Sequence, residues 1–257
     1  MRAETALITR FSAVDDIFHD ADRFAERVPF AESLQDFYYD HFCHGGGQTV
    51  PDLSEYRLKP THTANDKKTG PRHDSGISIY QIPDSLLTAA EAKVYEETGA
   101  GYEATLAAII DGVWLDSNLG LVLYVNDLPC AVAGVATYTR DVTIMQLQGY
   151  DVAARYMLKD EKEPHRFELP QVVQIDNSSL LKGFRWEKLL VMAVEEILRL
   201  AGVNECVIQS AKNNYWANNQ DGDYVLPYPQ ARMRYDVTAK RMGYKLGDDD
   251  DFHKTLD

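Results

Sequence analysis

Apolar residues recur at helical spacing early in the chain and at strand spacing later. Val14, Ile17, Ala21, Phe24 and Val28 form one stripe within residues 13–43, and Leu34, Phe37, Tyr38 and His41 form a second, with Pro29 between them. Both stripes predict amphipathic helices. Gly45, Gly46 and Gly47 end the pattern. From Gly45 to Ser75 the chain is rich in Gly, Pro, Thr, Asp and Lys, which predicts a long loop or wrapping segment.

From Gly76 the texture changes. Ile77, Ile79 and Ile82 predict a strand, and Pro83-Asp84 opens a helix that Gly99 and Gly101 stop. Tyr102 to Trp114 is expected to be a further helix. A hairpin follows, with Gly120–Val125 and Ala131–Tyr138 as its arms and Asn126-Asp127 as its turn. Val142 to Tyr150 alternates as a strand, Asp151 to Leu158 is expected to be a short helix, and Lys159 to Arg166 a charged loop. The last third reads strand (170–175), glycine turn, helix (186–201), strand (205–210), loop, helix and a Gly-aromatic strand. Trp186, Leu190, Ala193 and Ile197 give the long helix a core-facing side.

Hairpins early and alternating helices late predict an α/β class of the α+β, mixed-sheet kind. The expected division is a helical and loop extension over residues 1–75 and one domain over 76–257. Residues 1–75 hold too little apolar surface to fold alone, so their stripes are expected against the rest of the chain or a second copy of it.

Composition narrows the function classes. The net charge of −14 makes duplex nucleic acid a poor partner for this acidic chain. There is no apolar run of about 18 residues, so no membrane span is expected. The N-terminus lacks the apolar core of a signal peptide, and three widely spaced cysteines fit a reduced, cytoplasmic setting. His41 and His44 flank Cys43, but no second ligand pair with zinc-site spacing follows, so no metal site is expected. Asp221-Gly222-Asp223 is too short for a calcium loop. The segment Asn213–Pro229 is long and aromatic, and its Tyr215, Trp216, Tyr224 and Tyr228 either wall a cleft or cover the sheet.

The order of elements across residues 76–257, with the turn Leu180-Leu181-Lys182-Gly183-Phe184-Arg185 before the long helix, resembles the GNAT superfamily of acyl-CoA-dependent N-acetyltransferases. The resemblance implies a GNAT-like fold, acetyl-CoA or another acyl-CoA as co-substrate, and a small-molecule or peptide amine as acceptor. In that family a glycine-rich turn at a helix start cradles the pyrophosphate of coenzyme A. Laid on this chain, Leu180 takes the polar first position, Gly183 the first glycine and Arg185 the second, so one of the three is kept. Lys182, Gly183, Phe184 and Arg185 are then the implied cofactor turn. Gln174 and Ile175 are the implied backbone contacts to pantetheine, from a strand splayed away from 205–210.

The resemblance also implies a tyrosine acid four residues before the Gly-aromatic pair. That pair is Gly243-Tyr244, and the position holds Ala239. Tyr235, one turn earlier, either replaces it or packs its ring in the core. Asp176 is the candidate base, or caps the following turn; Glu168 is a second carboxylate near a strand end. Ser210 and Asn213 follow the second strand and either meet the ligand or satisfy their own loop. The departures at Leu180, Arg185 and Ala239 leave a second class open: a non-catalytic protein that keeps the fold and has lost coenzyme A binding.

Overall fold

The structure is a computed structural model and describes residues 12–31, 33–42, 51–62, 77–80, 82–98, 107–111, 115–137, 141–150, 152–156, 171–175, 178–182, 184–218 and 226–257. Residues 12–19 form α1, and Asp20 separates it from α2 (Ala21–Arg27). The Asp20 carboxylate accepts from the Asp22 and Arg23 backbone N–H groups, both at 3.1 Å, an N-cap that starts the second helix. Val14, Ile17, Phe24 and Val28 are all buried, as their spacing requires. Pro29–Ala31 makes one 3₁₀ turn before α3 (Leu34–Phe42), whose Leu34, Phe37 and Tyr38 are buried. His41 is exposed at the end of that stripe and folds back, its Nδ1 lying 2.8 Å from the Phe37 carbonyl.

These helices lie against β1 (Tyr56–His62), a strand inside the segment expected to be a loop. It forms because β1 pairs antiparallel with β4 (Leu119–Val125) over its whole length. Leu58 is its one buried residue, so no local alternation announced it. β4 and β5 (Leu128–Ala136) make the expected hairpin, with Asn126 at φ 53° in its two-residue turn. All nine residues of β5 are buried, which accounts for a near-continuous apolar run.

The main sheet has seven strands in the order β1-β4-β5-β6-β9-β11-β10, with β6 (Thr143–Gly149), β9 (Glu205–Ile208), β10 (Lys245–Leu246) and β11 (Phe252–Thr255). Every neighbouring pair is antiparallel except β6 and β9. The chain is thus a mixed α/β protein with a mostly antiparallel sheet, in line with the α+β expectation.

A second sheet of four antiparallel strands, β2-β3-β7-β8, joins β2 (Ile77–Tyr80), β3 (Ala107–Asp111), β7 (Val152–Tyr156) and β8 (Gln171–Ile175). Two expectations fail here. The helices expected over 102–114 and 151–158 are strands at 107–111 and 152–156. Both segments are alanine-rich and short, so propensity favours a helix; pairing with distant strands overrides it. Between β2 and β3 runs α4 (Asp84–Thr98), which buries Leu86, Ala90 and Val94 at successive turns and packs on β8.

After a short α5 (Ser178–Leu181) comes α6 (Trp186–Leu200), which buries Leu189, Leu190, Ala193, Val194 and Ile197 against β4, β5 and β9. It ends at Gly202, φ 72°, with Val203 N–H bonded to Leu198 O at 2.8 Å and Gly202 N–H to Arg199 O at 2.9 Å. That is a Schellman cap, in which only glycine takes the left-handed turn cheaply. α7 (Tyr215–Asn218) is a single turn. α8 (Tyr228–Arg232), a π turn (Met233–Val237) and α9 (Thr238–Arg241) run on as one helix, which closes on Gly243, φ 84°, in the same way.

An ion pair fastens β11 to α6. Lys254 Nζ donates to both oxygens of buried Glu195 at 2.8 Å, and Arg199 adds a contact at 3.5 Å. Among the described residues no helix is long and apolar enough to cross a membrane.

The N-terminal helices and the sheet share one core, so they should unfold together. Phe30 is 2% exposed and touches the rings of Phe24 and Phe37. Phe30→Ala is expected to lower stability by about 3–5 kcal/mol in urea denaturation while leaving a single transition. A separate early transition for the helices would show that they are an independent unit.

Candidate functional site

The parallel ladder between β6 and β9 is short. Thr143 pairs with Val207 and Ile144 with Ile208, held by Val207 N–H to Val142 O and Gln209 N–H to Ile144 O, both at 3.0 Å. β9 stops there, whereas β6 continues to Gly149. At the same point the ladder with β5 shifts register: Gly134 faces Gln146 and Val135 faces Ile144, so Met145 is the extra residue of a bulge. A bulge bends its strand and raises its local twist, and this one sits where the pairing with β9 ends.

Past the end of the ladder, the Leu147 N–H donates to the hydroxyl of Tyr235 at 3.1 Å. Tyr235 sits in the π turn and is 3% exposed. Burial raises the pKa of its phenol; the Leu147 N–H and Arg234 pull it down, the Asp116 charge pushes it up, and Asn214 pulls it down. The net shift is upward, so the group at this strand edge is a neutral phenol with its proton in place, a weaker acid than a solvated tyrosine. Such single π turns are frequent at functional sites because they re-aim one residue within a helix. Neighbouring Asp236 fixes the turn, accepting from the Ala211 N–H at 2.9 Å just beyond β9. Ala239, the position where the GNAT resemblance puts a tyrosine, is fully buried.

The implied cofactor turn lies close by. Leu181 abuts the end of β6, since a Cβ added at Gly149 would meet its Cδ1 at 3.2 Å. Lys182 is exposed. Phe184 is buried, with its ring edge-on to Tyr56 at 5.3 Å and to Tyr38 at 6.2 Å. The Tyr56 hydroxyl donates to the Leu180 carbonyl at 2.6 Å, and burial pushes its pKa up to about 12. Phe184 and Tyr56 therefore pin the turn to β1. Arg185 takes the N-cap position of α6 with no side-chain cap bond and is exposed. Gly183 and the candidate base Asp176 lie outside the described residues, as do Glu168 and Tyr224.

One further expectation needs correction. Strand 171–175 is not the neighbour of 205–208; it pairs with β7 in the four-stranded sheet, so exposed Gln174 and buried Ile175 do not lie on the strand beside 205–208. The strand parallel to 205–208 is 143–149, which stands far upstream of the helix in sequence. Asn213 is occupied with its own surroundings: its Nδ2 donates to Asp249 O at 3.0 Å and Asp251 Oδ1 at 2.9 Å, and its N–H to Ser210 Oγ at 3.2 Å. It clamps the turn before β11. Tyr215 and Tyr228 are exposed. Among the described residues no group of His, Cys, Asp or Glu could hold a metal ion.

Sequence reasoning singled out Tyr235 and the turn but not Leu147. The signal available was only the alternation Met145-Gln146-Leu147-Gln148, which marks a strand and not its neighbour. No family model matches this sequence, and no curated protein or solved structure matches it either.

Tyr235→Phe removes the acceptor of a buried N–H. It is expected to cost about 1–3 kcal/mol in urea denaturation and to speed hydrogen exchange at the Leu147 amide selectively. Unchanged exchange there would show that the bond does not form.

Proposed function

We propose that this chain is an acyl-CoA-dependent N-acyltransferase with a GNAT-like fold, most simply an N-acetyltransferase, acting on an amine. Support comes from the sheet order, in which two parallel strands stand at the centre of a mostly antiparallel sheet and a helix crosses between them. The observation that carries the reading is the bond from Leu147 N–H to the Tyr235 phenol just past the end of their ladder. It puts a backbone donor and a proton source at one point of a strand edge.

An extended acyl chain with amides can add to such an edge as a further strand does. In the transfer the amine nitrogen bonds to the thioester carbonyl carbon and the C–S bond breaks. Leu147 N–H is the donor for the carbonyl oxygen as it gains charge. Tyr235 gives its phenolic proton to the departing thiolate and is reprotonated from water, which takes the proton of the amine. Lys182 and Arg185, at the start of α6, supply positive charge for the diphosphate end of the donor.

A second reading rests on the same contact. Tyr235 is nearly inaccessible and already holds the Leu147 N–H, which describes a closed edge and a non-catalytic binding protein. Titration calorimetry with acetyl-CoA separates the two. Heat and a thermal shift are expected from the enzyme; neither at millimolar ligand selects the binding protein. With an accepted amine in hand, Tyr235→Phe is expected to lower turnover by roughly 10²-fold, within the range for acid–base groups. Unchanged turnover would leave Tyr235 a core residue.

A further inference from the structure

Five cations of this acidic chain line one pocket of about 570 Å³ beside α6. They divide into two sets. At one end, Lys254 and Arg199 are matched by Glu195, and Arg199 Nε also donates to the Asp257 carbonyl at 3.0 Å. At the other end stand Arg185, Lys188 and Arg241. None of these three has an acidic partner within ion-pair distance among the described residues.

Their placement is structural. Arg185, Lys188 and Met192 fall at i, i+3 and i+7 on the face of α6 opposite its buried side. Arg241 and Met242 come from the end of α9, and Phe42 from the end of α3. Burial lowers the Lys188 pKa, and the charges of Arg185 and Arg241 lower it further, so both arginines act on this lysine. With 40 acidic side chains against 26 basic ones, carboxylates are abundant, yet none is set against this trio among the described residues. Like charges held together without counter-charge destabilise the empty protein, and an anion removes that cost.

We propose that this pocket binds a phosphate-bearing small molecule, with its phosphate between Arg185, Lys188 and Arg241 and its apolar part against Met192, Met242 and Phe42. Guanidinium groups match phosphate oxygens two at a time, and the lysine adds a point charge. The volume suits a small ligand, for which pockets run about 300–1,000 Å³. A nucleic acid polymer is disfavoured because the rest of the surface repels it. The site stands whether or not the chain transfers acyl groups.

Inorganic pyrophosphate is the probe, titrated calorimetrically into the full chain at low salt. Binding is expected, weakening about tenfold or more in Lys188→Gln and again in Arg241→Gln, with unliganded melting temperatures no lower than that of the wild type, because each substitution removes one of three like charges. Met192→Glu, which puts a carboxylate among the cations, is expected to abolish binding. Lys59→Gln, a surface lysine paired with Asp127 that does not line the pocket, is expected to leave it unchanged. A chain that binds pyrophosphate through these residues and gives no heat with acetyl-CoA keeps this proposal and loses the acyl-transfer reading. No binding at millimolar pyrophosphate overturns the proposal, as do Lys188→Gln and Arg241→Gln proteins that bind like the wild type.

Discussion

The two-residue parallel ladder between β6 and β9 is the constraint on which the rest of the structure depends. Parallel neighbours cannot be joined by a tight turn, so the chain must leave the end of β6 and return over the sheet. It returns through α6, whose apolar face covers β4, β5 and β9. Because β9 ends early and Met145 bulges out of register, β6 carries on alone on that side. The Tyr235 phenol reaches Leu147 because the ladder has ended there. Fold and candidate chemistry thus follow from one incomplete strand pairing.

The crossover is unusual in its length. Between β6 and α6 the chain supplies β7 and β8 to the second sheet before α5 brings it back. Its return is secured by contacts with the N-terminal part of the protein: Tyr56 and Tyr38 enclose Phe184, and Tyr56 bonds Leu180. β1 is therefore more than an edge. The helices at residues 12–42 lie on it, and it in turn fixes where α6 begins.

Charge is distributed with the same economy. The buried Glu195 costs desolvation, and two hydrogen bonds from Lys254 with support from Arg199 offset it. Desolvation also raises the Tyr244 pKa strongly, with Cys206 and Glu195 adding to it, so the ring that follows Gly243 stays neutral in the core. On the outer face of the same helix Arg185 and Lys188 have no such matching among the described residues. One helix therefore carries an apolar side that makes the fold and a cationic side turned to a pocket.

By itself the sequence determined whatever depends on near neighbours. The stripes Val14-Ile17-Phe24-Val28 and Leu34-Phe37-Tyr38 face the core, Asn126-Asp127 turns the hairpin, and Gly202 and Gly243 stop their helices. Each rests on a period or a cap that spans a few residues. The same reasoning singled out Tyr235 by helical phase and Arg185 by its place at a helix start. Only the tertiary structure decided that 107–111 and 152–156 are strands, that 56–62 closes the sheet, and that 143–149 rather than 171–175 lies beside 205–208. It also decided that Leu147 faces Tyr235 and that Arg241 joins Lys188. The physical reason is that a strand's face is written in its own alternation, whereas its neighbour is chosen by burial and hydrogen bonding between segments tens of residues apart.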